Sequence, residues 1–425
     1  MRLGIFRHYG PSMGGGYQYE VVALDALSEV AKRSPEEFVC LSYPNDSLES
    51  LATTGGLSYR GLPFHSLRGL SRAADLPPEA YSAAPPEKHD EHVPGSFYYD
   101  PTTAHSLRDA GIDLVFQLAP HFIGFSTLRP FVMPIYDLNH RLQPEFPEVS
   151  AFGENNIREY VNQNACRYAT LILVDSEVGK ADVLRFYGDL IEADRIRVLP
   201  YHPRFRQDSL PGTSDLARVA TKYRLPGRYF FYPAQFWHHK NHELIVRALH
   251  RLAQEDTQNI SVVFCGSYAG YIPALNFKRV MALAEELRIS DRIHYLGRVP
   301  DEDMPALYQL SAGLVMPTFF GPTNIPPLEA WNFGRPVITS DIPGVREQIG
   351  DAGLLINPRS PADLARAMRQ LWQDEALGVQ LVERGRRRLA GHSWDRFVSA
   401  VEGIVVEACQ RVREGRSPRF PDSAA

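Results

Sequence analysis

Cysteine is scarce in this sequence, and the four in 425 residues, Cys40, Cys166, Cys265 and Cys409, lie far apart. This spacing excludes a disulfide scaffold and the paired ligands of a structural zinc site. We therefore expect a reducing, cytoplasmic setting. Also missing is any apolar stretch that approaches the ~20 residues needed to cross a bilayer, so the sequence predicts no transmembrane segment.

Neither sign of charge is in large excess, because 45 Lys and Arg face 50 Asp and Glu and leave a formal charge of −5. The sequence thus gives no electrostatic reason to bind nucleic acid. Hydrophobic residues make up 44% and charged residues 22% of the chain, as in ordinary globular proteins, which excludes a disordered or collagen-like chain. The length favours two domains over one large core.

Short apolar runs, each followed by a helix-like stretch, recur along the chain and favour an α/β fold of parallel strands covered by helices. The first series of runs is 3–6, 38–41, 113–116, 131–136, 171–174 and 196–199, and the second is 229–232, 261–264, 293–296, 313–316, 336–339 and 353–356. Two series predict two Rossmann-like domains, 1–205 and 206–394. A helix at about 395–415 is expected to pack back on the first domain.

One segment, 67–103, is too polar and too rich in proline for a core element. We interpret it as an inserted loop that carries partner or substrate contacts, or as a solvated spacer. The sequence does not decide between the two.

Three consecutive glycines, Gly14 to Gly16, follow the first predicted strand and precede a helix-like run. Glycines at such a junction let backbone amides approach an anionic ligand near a helix N-terminus. The segment is neither Gly-x-Gly-x-x-Gly nor a phosphate-binding loop that ends in Lys-Ser/Thr. A tight strand-to-helix turn without a ligand is the alternative.

The most informative local pattern, Pro-Thr-Asn-Ile-Pro-Pro-Leu-Glu at 322–329, follows a predicted buried strand. Thr323 or Asn324 can cap a helix whose first turn takes the two prolines, where a missing amide hydrogen costs nothing. Free amides at that helix end suit a diphosphate, and Glu329 can reach the hydroxyls of the same ligand. The alternative is that Glu329 only complements the helix dipole.

A second candidate is Lys240, which lies between the first strand and the first long helix of the second series. This position is the carboxyl edge of the sheet, where open α/β sheets bind ligands, and a lysine there can neutralise a phosphate leaving group. His238 and His239 are adjacent in sequence and lack an acidic or cysteine partner at ligand spacing, so we discount zinc. Helix capping explains the acidic run 301–303 more simply than a metal does, and no essential metal is predicted.

In this order and spacing the motifs resemble the retaining glycosyltransferases of family four, whose GT-B architecture has two facing Rossmann-like domains with a cleft between them. The fragments that carry the resemblance are the glycine loop, 134–137, 173–177, 197–200, Lys240, Gly266, 296–299, 326–330, 334–338, 351–355 and Ser393-Trp394. They cover nearly the whole chain.

The resemblance implies roles for individual residues. Lys240 is expected to hold the donor diphosphate, Glu329 the ribose of the nucleotide, and the Asn324 and Ile325 amides to face the donor. The expected donor-binding set is completed by Gly15, Gly16, Gln235, His239, Gly266, Val299 and Thr323. Tyr136 and Asp137 are catalytic candidates, although Asp137 could instead cap a loop, and His140 and Tyr17 are expected to contact the acceptor.

Three positions depart from the family pattern. The first glutamate of its Glu-x7-Glu signature falls at Gly321, its arginine at Gln235, and its histidine at Tyr136. Loss of the arginine removes a bidentate phosphate clamp, for which His238, His239 or Arg7 can substitute.

The resemblance implies a retaining hexosyltransferase that uses a nucleotide-diphosphate sugar and no cofactor, with mannose or rhamnose favoured. Its acceptor would be a glycan or lipid-linked glycan in bacterial polysaccharide or O-antigen assembly. The alternatives are a catalytically silent partner that binds nucleotide sugar or glycan, and a nucleotide-sugar epimerase. Arginines at 384, 386–388, 411, 413, 416 and 419 suggest peripheral contact with the inner face of the cytoplasmic membrane, against the simpler interpretation of a solvated helix face.

Overall fold

The computed structural model describes residues 1–9, 14–42, 57–62, 94–96, 98–205, 210–255 and 259–420. The strands of the first half are β1 Arg2–Phe6, β2 Glu37–Ser42, β3 Ser58–Gly61, β4 Leu114–Gln117, β5 Phe131–Pro134, β6 Leu171–Val174 and β7 Ile196–Val198. Those of the second half are β8 Phe230–Pro233, β9 Val262–Cys265, β10 Ile293–Tyr295, β11 Gly313–Met316, β12 Val337–Ser340 and β13 Leu354–Ile356.

These strands form two sheets with parallel pairing throughout. The first sheet has the order β3-β2-β1-β4-β5-β6-β7 and the second the order β10-β9-β8-β11-β12-β13. In each sheet the chain builds outward in one direction and then in the other. The direction therefore switches between β1 and β4 and between β8 and β11, and ligands of open α/β sheets bind at such switch points.

Helices cover both faces of each sheet. In the first half they are α1 Gly15–Ala31, α2 Pro101–Asp109, α3 Ile123–Ser126, α4 Asn139–Leu142, α5 Pro147–Ser150, α6 Glu154–Tyr168 and α7 Glu177–Tyr187. In the second half they are α8 Thr213–Lys222, α9 His242–Gln254, α10 Tyr271–Glu286, α11 Met304–Leu310, α12 Ile325–Asn332, α13 Pro343–Ile349, α14 Pro361–Gln373 and α15 Glu375–Leu389. The chain continues with α16, Trp394–Arg413.

The predicted α/β fold class is confirmed, and each of the twelve predicted apolar runs contains a strand or overlaps one. Most of these strands are buried along their length, as β6 is at every residue, because parallel sheets are covered on both faces. The sequence missed β3, whose residues are exposed or half-buried. This edge strand has no apolar run to reveal it.

The last helix packs back on the first half of the chain, as expected. The Ser393 side chain caps α16 by accepting a hydrogen bond from the Arg396 amide. Phe397, Val401 and Val405 then fall on one face and join the hydrophobic core that contains α1 and β1. The domain limits 1–205 and 206–394 themselves stay predictions.

Most of the segment predicted as an inserted loop lies outside the described residues. Its end was assigned wrongly, because α2 begins at Pro101. The Asp100 carboxylate accepts hydrogen bonds from the Thr102 and Thr103 amides at 3.1 and 3.0 Å, so an N-cap followed by proline starts a regular helix there.

Candidate active site

A cleft of about 370 Å³ lies where the carboxyl edges of the two sheets face each other. Its volume falls within the ~300–1,000 Å³ typical of small-ligand sites. The predicted site residues that line it are Gly15, Gly16, Tyr17, Tyr136, Asp137, Gln235, His239, Lys240, Gly266, Val299, Thr323, Asn324, Ile325 and Glu329. The sequence thus identified residues from distant parts of the chain that the fold brings to one cavity.

The glycine loop reaches across the cleft to the second half of the chain. Gly14 has φ +61°, and a Cβ atom there would lie 2.8 Å from Oε1 of Gln235. A Cβ atom at Gly16 would lie 2.7 Å from the Tyr9 ring. These glycines therefore allow a close approach that side chains would prevent, which is the property expected of the loop.

An acidic side chain fastens the backbone just before this loop. Glu20 on α1 accepts hydrogen bonds from the His8 amide at 2.9 Å and the Tyr9 amide at 3.1 Å. Burial raises the pKa of Glu20 to about 7, although these amides and Arg7 oppose the shift.

The prediction that Arg7 could substitute as a phosphate donor is wrong for this structure. Its side chain is 0% exposed, and its Nε atom lies 3.7 Å from the Glu20 carboxylate. Arg7 does not line the cleft. It instead supplies the countercharge that a buried carboxylate needs.

The turn that carries Lys240 is held from several sides. It forms a short 3-10 helix, His238–Lys240, and Tyr232 donates its hydroxyl to the Lys240 carbonyl at 2.8 Å. Asn241 follows with φ 58°, and its side-chain amide donates to the Pro317 carbonyl at 2.9 Å. These bonds fix the point from which the lysine enters the cleft.

The ammonium group of Lys240 takes part in none of the ion pairs of the described residues. Burial lowers its pKa to about 8, against the opposing effects of Asp137 and Glu148. A desolvated and unpaired cation gains from an anionic ligand, because opposite charges attract more strongly out of water.

The helix N-terminus at α12 offers fewer free amides than the sequence suggested. The amide and hydroxyl of Thr323 both donate to Oδ2 of Asp175, at 2.8 and 2.5 Å. The Asn324 amide donates to Oε1 of Gln348 at 3.0 Å. Pro at the second and third helical positions has no amide hydrogen, so Ile325 keeps the one terminal amide with no bond among the described residues.

The family pattern has a glutamate at position 321, but the backbone conformation of this chain requires a glycine there. Gly321 has φ +129°, and a Cβ atom there would lie 2.9 Å from the side-chain amide of Asn324. A larger residue would strain the loop before α12.

Glu329 lies on the second turn of α12 and is 5% exposed. Its Oε2 atom accepts a hydrogen bond from the Tyr308 hydroxyl at 2.7 Å. Burial raises the pKa of Glu329 to about 7, against the effects of Tyr308 and Arg204. The carboxyl group is oriented by Tyr308 and borders the cleft.

On the opposite wall, Tyr136 and Asp137 follow β5. The Tyr136 hydroxyl donates to the Leu118 carbonyl. Asp137 accepts from the Asn139 amide at 3.0 Å and from Arg158 at 3.0 Å. Burial alone would raise the pKa of Asp137, but Arg158 and the amide outweigh it and hold the pKa below its usual value. Asp137 therefore caps a loop and also presents a negative charge to the cleft.

The predicted acceptor contact of His140 is not supported by its position. The ring is buried, and its Nε2 atom lies 2.7 Å from Glu159 and 3.3 Å from the Tyr187 hydroxyl. His140 does not line the cleft. This correction reflects a polar cluster inside the first half that sequence spacing could not reveal.

The sequence analysis gave no role to two carboxylates that bridge the halves of the chain. Asp175, directly after β6, binds Thr323 as described above. Glu148 on α5 accepts from the amide and the ring Nδ1 of His239, both at 2.8 Å. The position of Asp175 at a strand end was a usable signal, whereas nothing in the sequence near Glu148 indicates a partner 91 residues away.

The acidic run 301–303 does not cap the helix that follows. Asp303 makes no side-chain cap hydrogen bond. It accepts from Lys222 at 2.5 Å and from the Tyr223 hydroxyl at 2.8 Å, and pairs with Arg218 at 2.8 Å. Within the ranges that the structure describes, no group of three His, Cys, Asp or Glu side chains could hold a metal ion.

Most of the arginines near the C-terminus have partners. Arg411 is 6% exposed and pairs with Glu407 at 2.8 Å and with Asp194 at 3.2 Å. Arg413 pairs with Glu36, so acidic side chains of the first half of the chain offset part of this positive charge. No helix in the described part of the chain combines the length and apolar character that crossing a membrane requires.

Residues 216–388 match the family described as Glycosyl transferases group 1. The chain is 28% identical over 283 residues to the O-antigen chain mannosyltransferase B of Escherichia coli, covering 62% of this chain and 70% of that protein. It is 30% identical over 174 residues to a D-inositol 3-phosphate glycosyltransferase of Salinispora arenicola, covering 39% and 38%. It is 27% identical over 287 residues to the serotype-specific mannosyltransferase WbdA of Escherichia coli, covering 65% and 34%.

Among solved structures, Anabaena Alr3699/HepE in complex with UDP-glucose superposes with a TM-score of 0.70 at 14% identity, over 96% of this chain and 99% of that one. WaaG, a glycosyltransferase involved in lipopolysaccharide biosynthesis, superposes with a TM-score of 0.65 at 16% identity, over 95% and 99%. At these low identities, the TM-scores establish a shared fold and nothing more. The GT-B architecture expected from the sequence is thereby confirmed.

Proposed function

We propose that this chain, whose residues 216–388 match the group 1 glycosyl transferases, moves a hexose from a nucleotide-diphosphate sugar to a glycan or lipid-linked glycan. The main support for this proposal is a shared position: one cleft is bordered by Lys240, the free amide of Ile325 and the glycine loop. These are three groups that favour an anion. A diphosphate between the two halves would contact all three.

The proposed chemistry follows from where charge develops. Departure of the sugar leaves negative charge on the diphosphate, and Lys240 and the Ile325 amide stabilise that charge in a partly desolvated site. Glu329, held by Tyr308, accepts hydrogen bonds from the ribose. Asp137 and Tyr136 border the space on the opposite wall, where the sugar and the acceptor would meet.

Retention at the anomeric carbon is the stereochemistry we propose. We assign no protein nucleophile, because in this proposal Glu329 binds the ribose and Asp137 is paired with Arg158. We infer attack from the same face, with the departing phosphate accepting the proton of the acceptor hydroxyl. Closure of the cleft would keep out water that could hydrolyse the donor.

Mannose is the sugar we favour, with rhamnose as the second choice, and assembly of O-antigen or another bacterial polysaccharide is the proposed process. The support is that two relatives carry mannosyltransferase names. The reaction would take place in the cytoplasm, at the inner face of the membrane where lipid-linked glycans are presented.

The test is incubation with GDP-mannose, dTDP-rhamnose and UDP-glucose, with and without a lipid-linked glycan acceptor. We expect transfer from one donor, an anomeric configuration that matches the donor by NMR, and a loss of more than about 100-fold in Lys240→Ala and Glu329→Ala. Lys278→Ala, which changes an exposed lysine on α10, is the control. Binding without turnover would contradict the enzyme in favour of a silent partner, and a changed stereocentre without acceptor would indicate an epimerase.

A further inference from the structure

A carboxylate of the first half of the chain hydrogen-bonds one of the two histidines that precede Lys240 and lies close to the other. Glu148 on α5 accepts hydrogen bonds through Oε1 from the His239 amide and from the His239 ring Nδ1, both at 2.8 Å. Its Oε2 atom lies 3.5 Å from Nδ1 of His238. The Glu148 side chain is 5% exposed. It is therefore committed to this contact rather than to solvent.

This contact decides which nitrogen of His239 is free. Burial alone would raise the pKa of Glu148, but the adjacent His238 and His239 outweigh burial and hold the pKa well below the usual value. An ionised carboxylate only accepts hydrogen bonds, so Nδ1 of His239 must carry a proton. Nε2 is then the nitrogen available to the cleft that His239 lines, and the described hydrogen bonds leave it unused.

We propose that Glu148 is a positioning residue that acts through His239, holding the imidazole across the cleft so that a protonated Nε2 donates to the donor diphosphate beside Lys240. The inference rests on the proposed function and adds a second cationic donor to the same diphosphate site. Because Glu148 and His239 belong to different halves of the chain, this donor is assembled only when the two halves are in contact.

The charges around His239 explain when it takes up the proton. Glu148, Asp137 and Lys240 are the charged groups that act on its ring, His242 also interacts with it electrostatically, and His238 is its neighbour in sequence. Burial and Lys240 lower the pKa of His239, while Glu148 and Asp137 raise it, and the net shift is downward. The imidazole is therefore neutral at pH 7 in the empty cleft. A diphosphate adds negative charge beside Nε2 and favours the imidazolium, so binding should be accompanied by proton uptake.

The backbone of His239 ties this donor to the loop before α12. Its carbonyl accepts hydrogen bonds from the Phe319 amide at 2.7 Å and from the Thr318 hydroxyl at 3.1 Å. Glu148 thus holds the amide and ring of His239 while the 317–324 loop holds its carbonyl. The Nε2 atom is fixed relative to both walls of the phosphate site.

The first experiment measures the proton uptake directly. Calorimetric titration with a nucleotide sugar at pH 7, in two buffers of different ionisation enthalpy, gives the number of protons bound. A sugar diphosphate is a diester and does not titrate near pH 7, and Lys240, with a pKa of about 8, contributes at most about 0.1 proton. Glu329, with a pKa of about 7, is present in the wild type and in both variants, so the difference between them reports on His239. We expect the wild type to take up at least about 0.3 proton more than Glu148→Gln and His239→Asn. Equal uptake in the wild type and Glu148→Gln would overturn the inference.

The second experiment compares turnover in matched variants. Glu148→Gln keeps the shape of the side chain and loses its charge, and we expect kcat to fall about 10- to 100-fold, less than the ~10²–10³ of deleting a donor outright. Glu145→Gln is the control, because Glu145 lies three residues earlier and, among the residues that the structure describes, forms its one ion pair with Arg359, at 3.9 Å on the exposed surface. It should leave kcat unchanged. An equal loss in both variants would indicate general closure of the cleft and refute a role through His239.

A double-mutant cycle separates the two residues. The asparagine of His239→Asn reaches the position of Nδ1, so it keeps the bond to Glu148 but has no atom at Nε2. In that background Glu148→Gln should cost less than about twofold, since coupled residues are not additive. A full additive loss would contradict the inference while leaving the proposed function intact, whereas a wild type that binds no nucleotide sugar would refute both.

Discussion

Raising the pH from 7 to 9 should weaken binding of the proposed donor, because Lys240 loses its charge in that interval. Burial lowers the pKa of Lys240 to about 8. The charged fraction is then about 90% at pH 7 and about 10% at pH 9. A diphosphate that binds the ammonium form has its full affinity below this pKa and loses affinity as pH rises through it. The expected contribution of Lys240 is a decrease of about tenfold.

The assay is calorimetry with the nucleotide sugar that the wild type binds, at pH 7 and pH 9, on the wild type and on Lys240→Arg. The guanidinium stays charged at both pH values, so the variant lacks this one titration. Dividing the wild-type ratio of Kd values by the variant ratio cancels other titrating groups, including His239. We expect a quotient of about 10. A quotient near one would refute the argument that a partly desolvated Lys240 holds the diphosphate.

Three further substitutions test the contacts that hold the site in place. Gly266 has φ +142°, and the methyl group of Gly266→Ala would lie 2.2 Å from a backbone carbonyl oxygen. Urea titration should therefore show a loss of about 1–3 kcal/mol in unfolding free energy, and an unchanged midpoint would contradict this. Asp175→Ala removes the acceptor of the Thr323 amide at 2.8 Å; urea unfolding should show a loss of about 1.5–3 kcal/mol, because hydrogen bonds to charged groups contribute this much to stability, and an unchanged unfolding free energy would refute the bridge. Glu20→Ala leaves the 0%-exposed Arg7 unpaired; urea unfolding should show a loss of about 3–5 kcal/mol, and Arg7→Met in that background should restore part of it.

Local patterns were sufficient for most of the fold. The runs that became β6 and β11 are continuous stretches of apolar residues, and their burial on both faces leaves few alternatives. The edge strand β3 has the sequence Ser-Tyr-Arg-Gly and half-exposed side chains. It was missed because its strand conformation comes from pairing with β2, which its own residues do not encode.

The residues of the candidate site likewise fall into those that the sequence predicted and those that it misplaced. Lys240, Glu329 and the glycine loop could be named from the sequence because strand-end position and glycine content are local signals. His140 was misplaced since its partner Glu159 is chosen by the packing of α4 against the helices nearby. Arg7 was misplaced because its burial depends on the fold around α1.

The sequence by itself determined the two parallel sheets, the residues at their carboxyl edges and the helix that begins after Asn324, since each depends on neighbours only a few positions away. Only the tertiary structure decided which amides remain free and which carboxylates bridge the cleft. Asp175 meets Thr323 from 148 residues away, and Glu148 meets His239 from 91. Contacts over such separations form only when the two halves of the chain face each other. Local sequence patterns determine the elements of each half but not how the two halves are placed relative to each other.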